Sequence, residues 1–388
     1  MAAVRHASRV LLNVLALATA VALVGPLGAQ ARLPAVAPKV PCASLRGWDP
    51  GIAEAPAQIT EARETRVDPA AGGRQAGQPV GFAGGAPAGA PGATAAAAAG
   101  AVDTLRGTPM CVVRGYVSPQ VRFEVRLPLA GWTQRYLQTG CGGLCGNLAI
   151  QAPQRACPML ERGEFAMAST DMGHQGQGGT WGASDPQLRV DFAYRGVHVT
   201  ALVAKAIIAR FYGQGPRWSY FSGCSDGGRE ALMEAQRYPG DFDGVAAGAA
   251  ALNFLVQNSF YHGWNARTVA PDGKTAVLLA TDLPVLHAAA VAACDTLDGL
   301  RDGLISNPPA CRFDPTTTQC RTAGQTNCLT REAVAAAAAI YRGAHDAEGR
   351  KLIVGSAQPG SERSWAGVFV PQEPTGPIRS GLVRGDML

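Results

Sequence analysis

A chain of 388 residues, 47% hydrophobic and 16% charged, is long enough to bury one large core or two smaller ones and too apolar to be disordered throughout. Its formal net charge of +5 comes from scattered basic residues, which excludes a nucleic-acid footprint. Ten cysteines behind a leader-like N-terminus read as a disulfide framework, because Cys141-x3-Cys145 is the only close pair and no second close pair completes a zinc site.

In chain order, Met1 to about Ala31 has Arg5 and Arg9, the apolar run Val10 to Val24, and small residues around Ala29-Gln30-Ala31. That is the pattern of a secretory signal, shorter than a membrane span, and it predicts a secreted or periplasmic protein without a stable membrane anchor. Residues 32–68 read as an irregular N-terminal entry segment, and 69–104 as an Ala/Gly/Pro-rich low-complexity insertion that cannot bury enough side chain to offset its ordering entropy. Residues 105–250 carry the signals of a core. Cys111–Val117 and Val121–Leu127 suggest an antiparallel pair at a sheet edge, Arg135–Gln138 and Phe165–Thr170 two further strands, and Val197, Ala201, Ala204, Ile208 and Phe211 a helix that ends at Gly213. A strand at Trp218–Ser222, a helix at Arg229–Tyr238 and a strand near Phe242–Ala247 follow, the alternation expected of a mostly parallel α/β sheet.

Between the last strand–helix pair lies Gly223-Cys224-Ser225-Asp226-Gly227-Gly228, of the form G-x-S-x-G. At that position the glycines let strand and helix approach closely and hold a serine hydroxyl at the sheet rim, with the next backbone N–H free for an oxyanion. The glycine-rich turn Thr139–Gly146 after an early strand is where such hydrolases keep the other oxyanion donor. From 251 to 388 the chain becomes Cys-, Pro- and Thr-rich and reads as an inserted subdomain. Within it, Asp295, Asp298 and Asp302 are spaced three and four apart with glycines after the second and third, a loop suited to a hard cation such as calcium.

On these residues the chain resembles the tannase and feruloyl esterase family, exported serine hydrolases that include an enzyme acting on mono(2-hydroxyethyl) terephthalate. The likeness is carried by Gly223–Gly228 running on to Gly244, by Thr170-Asp171-Met172-Gly173-His174, by the aspartate loop at Cys294 and by Pro359-Gly360-Ser361-Glu362. It implies an α/β-hydrolase core with an inserted Cys-rich lid, small aromatic esters as substrates, and Ser225 as nucleophile with the N–H groups of Gly142 and Asp226 as oxyanion hole. It also implies structural calcium on Asp295, Asp298 and Asp302 and the carbonyls of Leu300 and Leu304, and disulfides joining Cys294 to Cys311, Cys320 to Cys328 and Cys42 to Cys111. In the family the cysteine before the serine pairs with one that follows the catalytic histidine. No His-Cys dipeptide occurs here, so Cys224 lacks that partner, and the pairing of Cys141, Cys145 and Cys157 stays open. The expectation is therefore an esterase by descent, truncated at its C-terminus with part of the core missing, and inactive for want of a catalytic Asp and His. The alternative is a calcium-stabilised binding protein or remnant.

Overall fold

A computed structural model describes residues 33–67, 107–150, 158–176, 180–253, 275–353, 356–366 and 370–372, with isolated positions between 256 and 270. The signal-like leader and the low-complexity insertion lie outside the described residues, as does Cys157.

Seven strands form one sheet: β1 (Ala57–Val67), β2 (Thr108–Val117), β3 (Val121–Pro128), β4 (Arg135–Thr139), β5 (Phe165–Thr170), β6 (Trp218–Cys224) and β7 (Gly244–Gly248). Their order is β1-β2-β3-β5-β4-β6-β7. Strands β1 to β3 and the β3–β5 junction are antiparallel, whereas β5, β4, β6 and β7 run parallel. The expected mostly parallel sheet is therefore corrected to a mixed one, in an α/β-hydrolase-like fold with a Cys-rich insertion. The physical reason is connection length: β2 and β3 are joined by a three-residue turn, which permits only antiparallel pairing, and the parallel half begins where helical crossovers become available.

β1 arises in the segment read as irregular, and it puts the β2–β3 pair inside the sheet. Its sequence, Ala-Gln-Ile-Thr-Glu-Ala-Arg-Glu-Thr-Arg-Val, is too charged to announce a core strand, yet charge is how edge strands resist further pairing. The charges pair within and across strands: Glu61 meets Arg63 on β1 and Arg114 on β2, Arg114 meets Glu124 on β3 at 2.7 Å, and Glu124 meets Arg126 on the same strand at 2.7 Å. Glu124 and Arg126 are buried, so their pairing offsets the desolvation of each. Cys42 is bonded to Cys111, tying the entry segment to β2.

Helix α1 (Gly196–Tyr212) buries Val197, Ala201, Ala204, Ile208 and Phe211 against the sheet and stops at Gly213, whose φ of 75° is left-handed. Its apolar length therefore goes into the core. Tyr212 stacks on Trp132 at 3.9 Å between ring centres and donates to Pro128 O at 2.7 Å. Helix α2 (Asp226–Arg237) follows β6 directly and lies against β6 and β7.

The Cys-rich segment has its own apolar cluster around Leu278, Leu286, Ala337, Ile340 and Trp365, supplied largely by α3 (Leu283–Cys294) and α4 (Arg331–Arg342). Thr330 caps α4 by accepting from Ala333 N–H. Cys294–Cys311 and Cys320–Cys328 bonds close its loops. Glu362, fully buried, holds the parts together: it accepts from Tyr341 Oη at 2.6 Å and Gly360 N–H at 2.7 Å, and its second oxygen meets His287 Nδ1 at 2.7 Å. Burial and this carboxylate push the Tyr341 phenol up. The Pro-Gly-Ser-Glu motif is thus a structural tether. Glu362→Ala leaves three half-buried donors around a hole, and a loss on the order of 2 kcal/mol is expected in urea unfolding, with Glu362→Gln losing less.

Candidate active site

β6 ends at Cys224 and α2 begins at Asp226, so Ser225 alone makes the turn. Its φ of 62° and ψ of −115° lie where a side-chain-bearing residue is strained, and it is exposed at the sheet rim. The strain is held from several sides. Ser225 N–H donates to Gly248 O at 3.0 Å, and Ser225 O accepts from Gly228, Arg229 and Ala251 N–H.

The flanking glycines are required by contact. A Cβ on Gly223 would lie 2.2 Å from Gly227 O, and one on Gly140 would lie 2.6 Å from Gly227 Cα. This close approach brings the β4 turn against the start of α2, where Gly227 N–H donates to Cys141 O at 2.9 Å. Gly142 therefore sits in the loop beside the elbow. Asp226, as the first residue of α2, has one of the four N–H groups that a helix leaves without an internal acceptor.

Beneath the elbow the Asp226 carboxylate is buried and bidentate to Arg229, at 2.7 and 2.9 Å. Arg229 also donates to Phe192 O and Ala193 O, both at 3.0 Å, and lies 4.5 Å from the Phe192 ring centre. Burial opposes its charge, but the hydrogen bond and charge of Asp226 prevail and raise its pKa. Cys141 and Cys145, which the sequence left with several possible partners, are bonded to each other. Their sulfurs face Asp226 and Glu230, and the four residues, all buried, bring one ligand atom each within 4.8 Å of the others. That buried group could coordinate a metal ion.

The Thr170–His174 motif forms the next turn along the rim. Asp171 accepts from Arg122 and Gly173 N–H, each at 2.9 Å, and burial raises its pKa to about 7. His174 is buried, stacks on Trp181 at 4.0 Å and places Nε2 2.7 Å from Leu144 O. Both residues line a cleft of about 450 Å³. His174 thereby braces the glycine-rich loop.

The expectation of a chain without an acid and a base is corrected by His198 and Asp241. His198 Nδ1 lies 2.6 Å from Asp241 Oδ2 and Nε2 lies 3.1 Å from Glu54 Oε1, so the described chain contains a buried imidazole oriented by an aspartate. Sequence reasoning missed the pair because it looked for the base after the serine, and His198 precedes it; no local signal links residues 43 apart. The pair adjoins Glu234, with ligand atoms of all three within 4.8 Å, and His198 stacks on Tyr238 at 3.7 Å. Glu234 lies nine residues beyond Ser225 on α2, about 13 Å of helix rise.

Titration at this pair has a definite sign. Burial lowers the His198 pKa, but the hydrogen bonds and charges of Asp241 and Glu54 outweigh it and raise it, while burial and then the Asp241 charge raise Glu234 to about 8. Both groups hold protons in the folded state that the unfolded chain has released above about pH 4.3 for Glu and about 6.5 for His. Their stabilisation is therefore lost as pH rises through the folded values, and Asp171 adds loss near 7. A higher Tm at about pH 6 than at about pH 8.5 is expected in a thermal melt, with part of that difference absent in Glu234→Gln.

In the calcium-like loop, Asp295 Oδ1 accepts from Asp302 N–H at 3.2 Å and Gly303 N–H at 2.9 Å, and Asp298 and Asp302 accept from Leu300 and Leu304 N–H at 2.9 and 3.0 Å. Gly299 and Gly303 allow the turns, with φ of 89° and 79°. All available donors are oxygens, the chemistry a hard cation needs, but the three carboxylates are not among the groups that converge within 4.8 Å among the described residues. Cys224 is exposed and unpaired among the described residues.

Comparison with known proteins fits this geometry. A profile of the family described as "Tannase and feruloyl esterase" matches residues 106–378. An uncharacterized esterase of Xanthomonas campestris pv. campestris is 36% identical over 267 residues, covering 66% of this chain and 45% of the relative. A probable feruloyl esterase B-2 of Aspergillus flavus is 32% identical over 257 residues, covering 65% and 48%. The crystal structure of feruloyl esterase B from Aspergillus oryzae aligns with a TM-score of 0.63 at 26% identity, over 84% of this chain and 61% of that one. The chain spans about half the length of the curated relatives it matches.

Proposed function

Since the chain belongs to the tannase and feruloyl esterase family, we propose that it serves as a serine carboxylic ester hydrolase for small aromatic esters, with Ser225 as the acyl-carrying nucleophile. The observation that carries this reading is the strained, exposed Ser225 between β6 and α2, a conformation that the close approach of the surrounding glycines permits. The names of the relatives supply the aromatic ester. Attack of Ser225 Oγ on the ester carbonyl breaks its O–H bond and gives a tetrahedral oxyanion with the N–H groups of Asp226 and Gly142 as donors, the released proton ending on the departing alcohol oxygen. Expulsion of the alcohol leaves an acyl-serine, which water then cleaves to the carboxylic acid. Asp226, locked by Arg229, keeps its N–H in place throughout.

A fluorophosphonate probe is expected to label the protein at Ser225, and Ser225→Ala to abolish the labelling. Mass-spectrometric assignment of the adduct to another residue would overturn the assignment.

Calcium is part of the same reading, on Asp295, Asp298 and Asp302 with the carbonyls of Leu300 and Leu304. The support is the all-oxygen donor set within a loop closed by Cys294–Cys311. An ion bound only by the folded state at a hundred times its Kd stabilises by about 2.7 kcal/mol. Calcium is thus expected to raise Tm in a thermal melt, and Asp298→Ala with Asp302→Ala to remove that rise. Export to the periplasm or medium, from the leader at Met1–Ala31, completes the proposal.

A further inference from the structure

The group beneath the elbow has features that a disulfide alone does not require. Cys141 Sγ lies 2.7 Å from Glu230 Oε1 and 3.8 Å from Asp226 Oδ2, and Cys145 Sγ lies 3.4 and 3.3 Å from the same two atoms. A disulfide sulfur has no hydrogen to donate, so two carboxylates packed against it gain nothing from the contact. Glu230 is only 2% exposed, and its Oε2 is buried without a hydrogen-bond donor. Arg229 is committed to Asp226, and no hydrogen bond from it reaches Glu230 among those described.

The two sulfurs, bonded to each other in the disulfide form, would part to about 3.8 Å on one tetrahedral ion after reduction, and the sulfur–oxygen distances are the ones to compare. With zinc–sulfur bonds of about 2.3 Å and zinc–oxygen bonds of about 2.0 to 2.2 Å, sulfur and oxygen ligands stand about 3.5 Å apart. The four sulfur–oxygen separations observed straddle that value. Each ligand comes from a well-placed element: the cysteines from the two ends of a four-residue step in the β4 turn, their Cα atoms 5.3 Å apart, and the carboxylates from consecutive turns of α2. A cysteine-spacing argument rejects zinc for lack of a second close pair. Here the second pair is supplied by Asp226 and Glu230.

We propose that Cys141, Cys145, Asp226 and Glu230 form a zinc site in the dithiol form of the protein, competing with the Cys141–Cys145 disulfide for the same two sulfurs. Two thiolates select a borderline-soft ion over calcium or magnesium. A dithiol reductant passes two electrons to the disulfide, giving two cysteine thiols and its own disulfide. Zinc then takes the two sulfurs and releases their protons to solvent. Reoxidation to the disulfide requires the ion to leave first.

The test uses the full chain reduced with a phosphine, incubated with zinc and desalted, with metal content read by mass spectrometry. One equivalent is expected in reduced protein beyond that in unreduced protein. Cys141→Ser/Cys145→Ser keeps every other thiol and is expected to lose that equivalent, and Glu230→Gln to bind at least tenfold more weakly. Cobalt(II) in place of zinc is expected to give thiolate-to-cobalt charge-transfer absorption in the reduced wild type and not in the double variant. Zinc retained equally by the double variant, or absent from reduced wild type with unchanged far-ultraviolet circular dichroism, overturns the proposal. Should the double variant fail to fold, unchanged zinc affinity in Glu230→Gln overturns it as well.

Discussion

Backbone touches backbone at the elbow, and the rest of the site is arranged around that contact. Gly140 on the β4 turn, Gly223 at the end of β6 and Gly227 in α2 leave no room for a side chain between them, and the Gly227 N–H to Cys141 O bond joins the two segments. This contact fixes the angle at which α2 leaves the sheet. It thereby sets Ser225 in its strained conformation and brings the Gly142 loop alongside. Arg229, held by Asp226, fastens the same helix to the carbonyls of Phe192 and Ala193 in the π-helical segment Asp191–Arg195. Strain at one residue is stable only where the neighbours over-determine it, and here they do.

Much of this was legible in the sequence. The elbow could be read because its requirements are local: a short aromatic strand, glycines at set offsets, a helix, and a Pro-Gly stop. Helix α1 was legible for the same reason, since a 3.6-residue period needs no knowledge of what it packs on. The mixed sheet was not legible, because strand direction across β3 and β5 depends on which strands meet, and residues 123 and 170 carry no label for one another. β1 was missed because its charges, which suit an edge, mimic a loop.

The side-chain groups that escaped the sequence share one property: their partners lie on different elements. His198 on α1 finds Asp241 beyond the end of α2, and Cys141 and Cys145 find carboxylates one helix away. Motif reading looks for like residues at close spacing. It finds the aspartate loop, whose three acids are neighbours in sequence, and passes over clusters assembled by folding. The structure reverses the emphasis: the loop acids turn onto their own backbone, while the dispersed groups converge in buried space.

The alternating charges on β1, β2 and β3 bear on how the antiparallel half assembles. Arg63, Glu61, Arg114, Glu124 and Arg126 form a chain of opposite signs across three strands. A one-residue slip of β3 against β2 would turn its side chains to the other face and part Glu124 from Arg114 on the neighbouring strand, though Glu124 and Arg126 would move together. The ladder thus works as a proofreading device for strand alignment. It ties the register to specific charge pairs, where apolar residues alone, interchangeable between registers, would not.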